Sequence, residues 1–155
     1  MRHLLLTAAL LTSFAALAQV KVADPWVRAT VAEQKVTGAF MQLTAAKAMT
    51  VVAISSPVAA RVEIHEMKMA EGGVMQMRAV EALPLPAGQA VALKPGSYHV
   101  MLMGLKRPIK AGDTVPLTLT VEGADRQRST VEIQAQARSG AGPVSPRGTM
   151  EKMGH

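Results

Sequence analysis

The 155 residues, 49% hydrophobic and 18% charged, suffice for one folded domain and leave no room for two. The absence of cysteine excludes a disulfide framework, a thiolate zinc site, an iron–sulfur cluster, a cysteine nucleophile and a blue-copper electron carrier. The net charge of +6 is scattered without a basic run, and Trp26, Tyr98, Phe14 and Phe40 are the whole aromatic complement, so nucleic-acid binding is not expected.

The chain begins with Arg2 and His3 and then an apolar stretch from Leu4 to Ala18, closing on Ala16-Leu17-Ala18 before Gln19. A short positive start, an apolar run and an A-x-A end predict a signal peptide over 1–18. No later segment reaches the ~18 apolar residues of a membrane span. The expected mature protein is therefore soluble and exported, with no cysteine to carry a lipid.

From residue 19 onward, short β-rich runs alternate with Gly, Pro and Asp breakers. Strands are expected at 20–23, 26–30, 36–44, 49–55, 61–69, 74–80, 89–93, 98–104, 114–121 and 129–137. Turn signals at this spacing indicate an all-β domain over 19–138, a single Greek-key β-sandwich or barrel. The clearest strand has Val115, Leu117, Leu119 and Val121 alternating with Pro116, Thr118 and Thr120. It should pair with Val131–Ala137 in a hairpin around 122–128. Asp24-Pro25, Pro84-Leu85-Pro86 and Lys110–Asp113 read as breaks. After Arg138 the composition turns rich in Gly, Pro and Ser, predicting a flexible tail over 139–155 that ends with Met150, Met153 and His155.

Methionine and histidine occur together. Without Met1 and His3, ten methionines and three histidines remain. Met67, Met69, Met75 and Met77 follow His65, Met101 and Met103 follow His99, and Met150 and Met153 precede His155. Met41 and Met49 stand apart and are assigned to the core. Any single methionine is accounted for by core packing. Packing gives methionine no reason to track histidine, or to return with it in a tail that has no core.

Coordination chemistry does give a reason. Thioether sulfur is soft and favours Cu(I), imidazole also binds copper, and thioethers do not form disulfides in an oxidising compartment. His99 and Met101 are two apart on an expected strand, hence on one face and ~7 Å apart at ~3.4 Å per residue. A hairpin turning through Glu71-Gly72-Gly73 sets Met67 opposite Met77 and Met69 opposite Met75. Val62 and Ile64 have the opposite parity to Met67 and Met69, and Glu66 and Lys68 are polar, so a bulge near His65 is expected to switch the buried face.

These residues resemble the PCu(A)C family, whose motif is H(M)x10Mx21HxM. His65, Met77, His99 and Met101 match its spacing, with Glu66 at the bracketed methionine. Pro25-Trp26-Val27-Arg28, Thr37–Met41 and His99–Leu105 are similar to the family as well, so that the likeness runs over about 20–137. The resemblance implies a cupredoxin-like or immunoglobulin-like β-sandwich that holds Cu(I) through His65, Met77, His99 and Met101. It implies a chaperone, not an enzyme, delivering copper to the copper-bearing subunit of cytochrome c oxidase, with Sco-type thiol–disulfide proteins as companions. Met67 or Met75 could exchange with Met77. The tail resembles the family's Met/His-rich extension, with Cu(II) as its expected ion. The competing expectations are an exported adhesion or assembly module without metal, and a copper-dependent oxidase.

Overall fold

The computed structural model describes residues 19–140. The expected leader, and Met150, Met153 and His155 of the expected tail, lie outside the described residues.

Ten strands follow in order: β1 (Val20–Arg28), β2 (Val36–Ala45), β3 (Met49–Ser55), β4 (Ala59–Met69), β5 (Met75–Val80), β6 (Leu83–Leu85), β7 (Ala90–Leu93), β8 (His99–Leu105), β9 (Thr114–Gly123) and β10 (Arg128–Arg138). They form one hydrogen-bonded path, β5-β4-β8-β2-β1-β10-β9-β3-β6, with β7 added to β2. The β1–β10 pair is parallel and joins two antiparallel halves. The path folds there, so that β3 packs against β4 across the interior. Successive segments cross repeatedly between the halves, as in a Greek-key sandwich.

Period-two alternation builds the core. Val115, Leu117, Leu119 and Val121 of β9 are fully buried, and Ile133, Ala135 and Ala137 of β10 join them. Ala39, Met41 and Leu43 of β2 and Val100 and Leu102 of β8 face the same interior. Met41 and Met49 are buried, as expected for core methionines. The β9–β10 hairpin forms in the expected place, with Arg128 opposite Glu122.

Three expectations are corrected. The stretch around Pro84 is not only a break: Leu83–Leu85 is a short edge strand on β3, with both leucines buried. Proline is tolerated at an edge, where its missing N–H interrupts no ladder. Asp24-Pro25 does not end the first strand. The chain crosses it with Asp24 at φ 47° and a register shift between Ala23 and Trp26, and β1 continues. Lastly, no bulge interrupts β4 near His65: its pairing to β8 and then to β5 is in step from Arg61 to Met69. Ile64 faces the core, and His65 and Met67 face away from it. Glu66 and Lys68 are polar because the β4–β5 hairpin outruns the core, and Glu66 meets Arg78 at 2.6 Å on that side.

Candidate metal centre

The outer face of the β5-β4-β8-β2 half collects the chemistry. In antiparallel pairs, directly opposed residues share a face. His65 is opposite His99, Glu63 opposite Met101, Met67 opposite Met77 and Met101 opposite Gly38. One face therefore carries Glu63, His65, Met67, Met77, His99 and Met101, while Ile64, Val100 and Leu102 fill the core beneath. A cleft of about 320 Å3 opens on this face, lined among others by Met67, Met77, His99, Met101, Phe40 and Arg28. The ring centroid of His65 is 6.0 Å from that of His99, which lines the cleft.

The turn that creates the methionine pairs is set by glycine. Gly72 and Gly73 have φ of 81° and 75°, and Ala70 N–H donates to the Val74 carbonyl at 2.8 Å, closing a three-residue loop. Side chains rarely adopt this left-handed backbone, so a glycine-poor sequence would not hold this register.

Each imidazole has one nitrogen already engaged. His65 Nε2 lies 2.9 Å from Glu63 Oε2, and His99 Nδ1 lies 3.0 Å from the Ser97 carbonyl oxygen. Both partners are acceptors, so both of these nitrogens carry the proton. In the neutral rings that leaves lone pairs on His65 Nδ1 and His99 Nε2. His65 Nδ1 is buried and has no hydrogen-bond partner. A buried acceptor without a donor is costly in a finished polar network and is what a ligand awaiting a metal looks like. The hydrogen bond from His65 holds the Glu63 carboxyl below the ordinary carboxylate range, against partial desolvation and with help from the Arg61 charge. Arg61 Nε is 3.0 Å from Glu63 Oε1.

The far wall is aromatic. Phe40 is buried, with its ring centroid 4.6 Å from that of Trp26, and the Arg28 guanidinium lies 5.6 Å above it. A Cβ on Gly38 would come within 2.9 Å of the Phe40 ring, so glycine lets the ring lie over β2 beside Met101. Thr37 Oγ1 donates to the Arg28 carbonyl at 2.7 Å and ties the ends of β1 and β2 together.

All four sequence-predicted ligand residues thus lie on one face. Met67 lines the cleft beside Met77, whereas Met75 sits one step further out, opposite Met69. Met103 shares the face, but its sulfur is 3.9 Å from Arg61 Nη2, a cationic neighbour that a metal ion avoids. Sequence reasoning missed Glu63, Ser97 and the Gly38–Phe40 wall. Glu63 could have been found as the residue two before His65 on the same strand face. Among the described residues no group of three or more His, Asp or Glu is placed to hold a metal, and the further donors on this face are the thioethers.

The LpqE-like family, described as "Putative lipoprotein LpqE-like", matches residues 20–133. The protein named "Putative lipoprotein Lxx21020" from Leifsonia xyli subsp. xyli is 34% identical over 124 residues, covering 79% of this chain and 72% of its own. The copper-bound PCuAC domain from PmoF2 superposes with a TM-score of 0.64 at 22% identity, over 81% of this chain and 97% of that domain, and so bears on the fold alone. The solution structure of CuI-DR1885 from Deinococcus radiodurans gives a TM-score of 0.60 at 30% identity, over 83% of each chain. Among the described residues no helix is long and apolar enough to cross a membrane.

Proposed function

The chain belongs to the LpqE-like family and has the fold of PCuAC domains, and from that premise we propose that it is a copper carrier that takes Cu(I) as cargo on the outer face of β4, β5 and β8. The ligands are His65 through Nδ1, His99 through Nε2, Met101, and Met77 with Met67 able to take its place. The observation that carries this reading is the buried, unpartnered Nδ1 of His65, on a ring 6.0 Å from that of His99 and on the strand face that also carries Met67, Met77 and Met101. The Cu(I) state of DR1885, 30% identical to this chain, supports the choice of ion.

Soft, neutral donors stabilise Cu(I) against oxidation, and the lack of thiols keeps the site intact in an oxidising compartment. Thioethers lose no proton on binding, so loading requires only that the two imidazoles be neutral. The cleft opens to solvent on one side, giving an acceptor protein access to Met77 and Met67. Such a site carries an ion rather than turning over a substrate.

Delivery to the copper-bearing subunit of cytochrome c oxidase, in the periplasm and alongside Sco-type proteins, extends the proposal and rests on the PCu(A)C resemblance. A Cu(II) contact through Met150, Met153 and His155 is a further part of it. Its support is that Gly140, the last described residue, lies against Arg28, itself a wall of the cleft.

Anaerobic Cu(I) titration against a competing chelator, on the wild type and His99→Ala, tests the reading. One tightly held equivalent in the wild type, weakened at least about tenfold in the variant, is expected from the loss of one of four donors. Equal affinity in the two proteins overturns the site.

A further inference from the structure

The β4–β5 hairpin carries more sulfur than one Cu(I) site uses. Met69 and Met75 are direct cross-strand partners, 64% and 47% exposed, and they share the face of Met67, Met77 and His65. Packing does not account for them. The opposite face of the hairpin carries Glu66, Lys68, Gln76 and Arg78, and no part of the described core lies under either methionine. At a solvated hairpin tip the two large apolar side chains have only this cross-strand contact to gain, and they stay exposed in making it.

We infer that Met69 and Met75 form a second, weaker site for a soft monovalent ion, Cu(I) or Ag(I), one step outward from the cleft. Directly opposed residues have Cβ atoms roughly 4.5–5.5 Å apart, and methionine's rotatable bonds let two sulfurs converge on one ion held in linear geometry. The next pair inward, Met67 and Met77, is two residues along, ~7 Å at ~3.4 Å per residue. The thioethers thus form a track from the exposed tip to the imidazoles, along which an ion passes from sulfur to sulfur with no proton moved and no change of oxidation state. With two neutral donors and no imidazole, the outer pair binds at least about tenfold more weakly than the inner site. This inference rests on the proposed inner site for its place in a track, but not for the existence of the pair.

The test is methionine methyl NMR on the full chain, titrated anaerobically with Ag(I) as a redox-inert substitute. The Met77 and Met101 methyl resonances should move over the first equivalent and those of Met69 and Met75 only beyond it. In the double variant Met69→Leu, Met75→Leu the first response persists, while transfer of the ion to an added chelator slows. Leucine at these exposed positions leaves the fold intact, and the tail methionines report through their own signals. Met69 and Met75 resonances that stay fixed while the inner signals saturate overturn the inference. If those two move while Met77 and Met101 do not, the outer pair stands and the proposed ligand set of the inner site falls.

Discussion

His65 and His99 face each other across the β4–β8 ladder with ring centroids 6.0 Å apart, and each is held by a different kind of acceptor. A carboxylate fixes one and a backbone carbonyl the other. Only the first can be removed by mutation without disturbing the main chain.

Glu63→Ala should therefore leave the fold intact and lower Cu(I) affinity. The side chain is half-exposed, and its task is to keep the His65 proton on Nε2. Loss of such a partner typically costs about 10–100-fold in metal affinity. Glu63→Gln, which still accepts a hydrogen bond, should retain more affinity than Ala. Chelator competition across the three proteins checks the order, and equal affinities for Ala and wild type would contradict the role.

Met101→Leu keeps volume and removes sulfur. Copper affinity should fall at least about tenfold, with thermal stability changed by less than ~1.5 kcal/mol. Met41→Leu, in the core, should show the same small stability change with copper affinity unaltered. A copper defect in the Met41 variant would mean that packing, not ligation, governs binding.

Gly38→Ala should cost about 1–3 kcal/mol, because the new methyl meets the Phe40 ring at 2.9 Å and that ring is pinned between Trp26 and Arg28. Trp26 is the sole tryptophan, so its fluorescence reports the displacement directly. An unchanged emission spectrum and melting temperature would show that the stack yields freely.

Asp24 and Arg138 tie the kink of β1 to the end of β10. The hydrogen bond from Arg138 holds the Asp24 carboxyl below its ordinary value. A lowered folded-state pKa means that the pair's contribution is present above the unfolded value of about 3.9 and is lost as pH falls through the lower folded one. Both side chains are largely exposed, so the effect is small and screened by salt. Asp24→Asn should thus be slightly less stable than wild type at pH 7 and low salt, with the gap closing below about pH 4. A gap that persists at pH 2 would show that the charge on Asp24 does not account for the difference.

The strands and the ligand face were legible because period-two alternation and the spacing from His65 to Met101 both survive in one dimension. The hairpin register was legible for the same reason: two glycines and four methionines allow one pairing. What misled was the polarity of Glu66 and Lys68. Polar residues on what should be the core side look the same in sequence whether a strand bulges or simply extends past its core. Only the position of β8's first residue, His99, shows that the core ends there. The hold of Ser97 on His99 and the Phe40 ring over Gly38 depend on loop geometry and on a neighbouring strand, which no local pattern encodes.

The parallel pairing of β1 with β10 sets Arg28 beside Arg138, while Gln19 is at the other end of β1, bonded to Ala46. The two ends of the described chain therefore leave the domain on different sides, and Gly140 leaves beside the cleft. A protein anchored to a sensor surface or bead through an attachment ahead of residue 19 presents its methionine face outward to passing partners. The same attachment after residue 140 begins at the cleft wall and crowds its mouth, so orientation on the support becomes an experimental handle on access to the cargo.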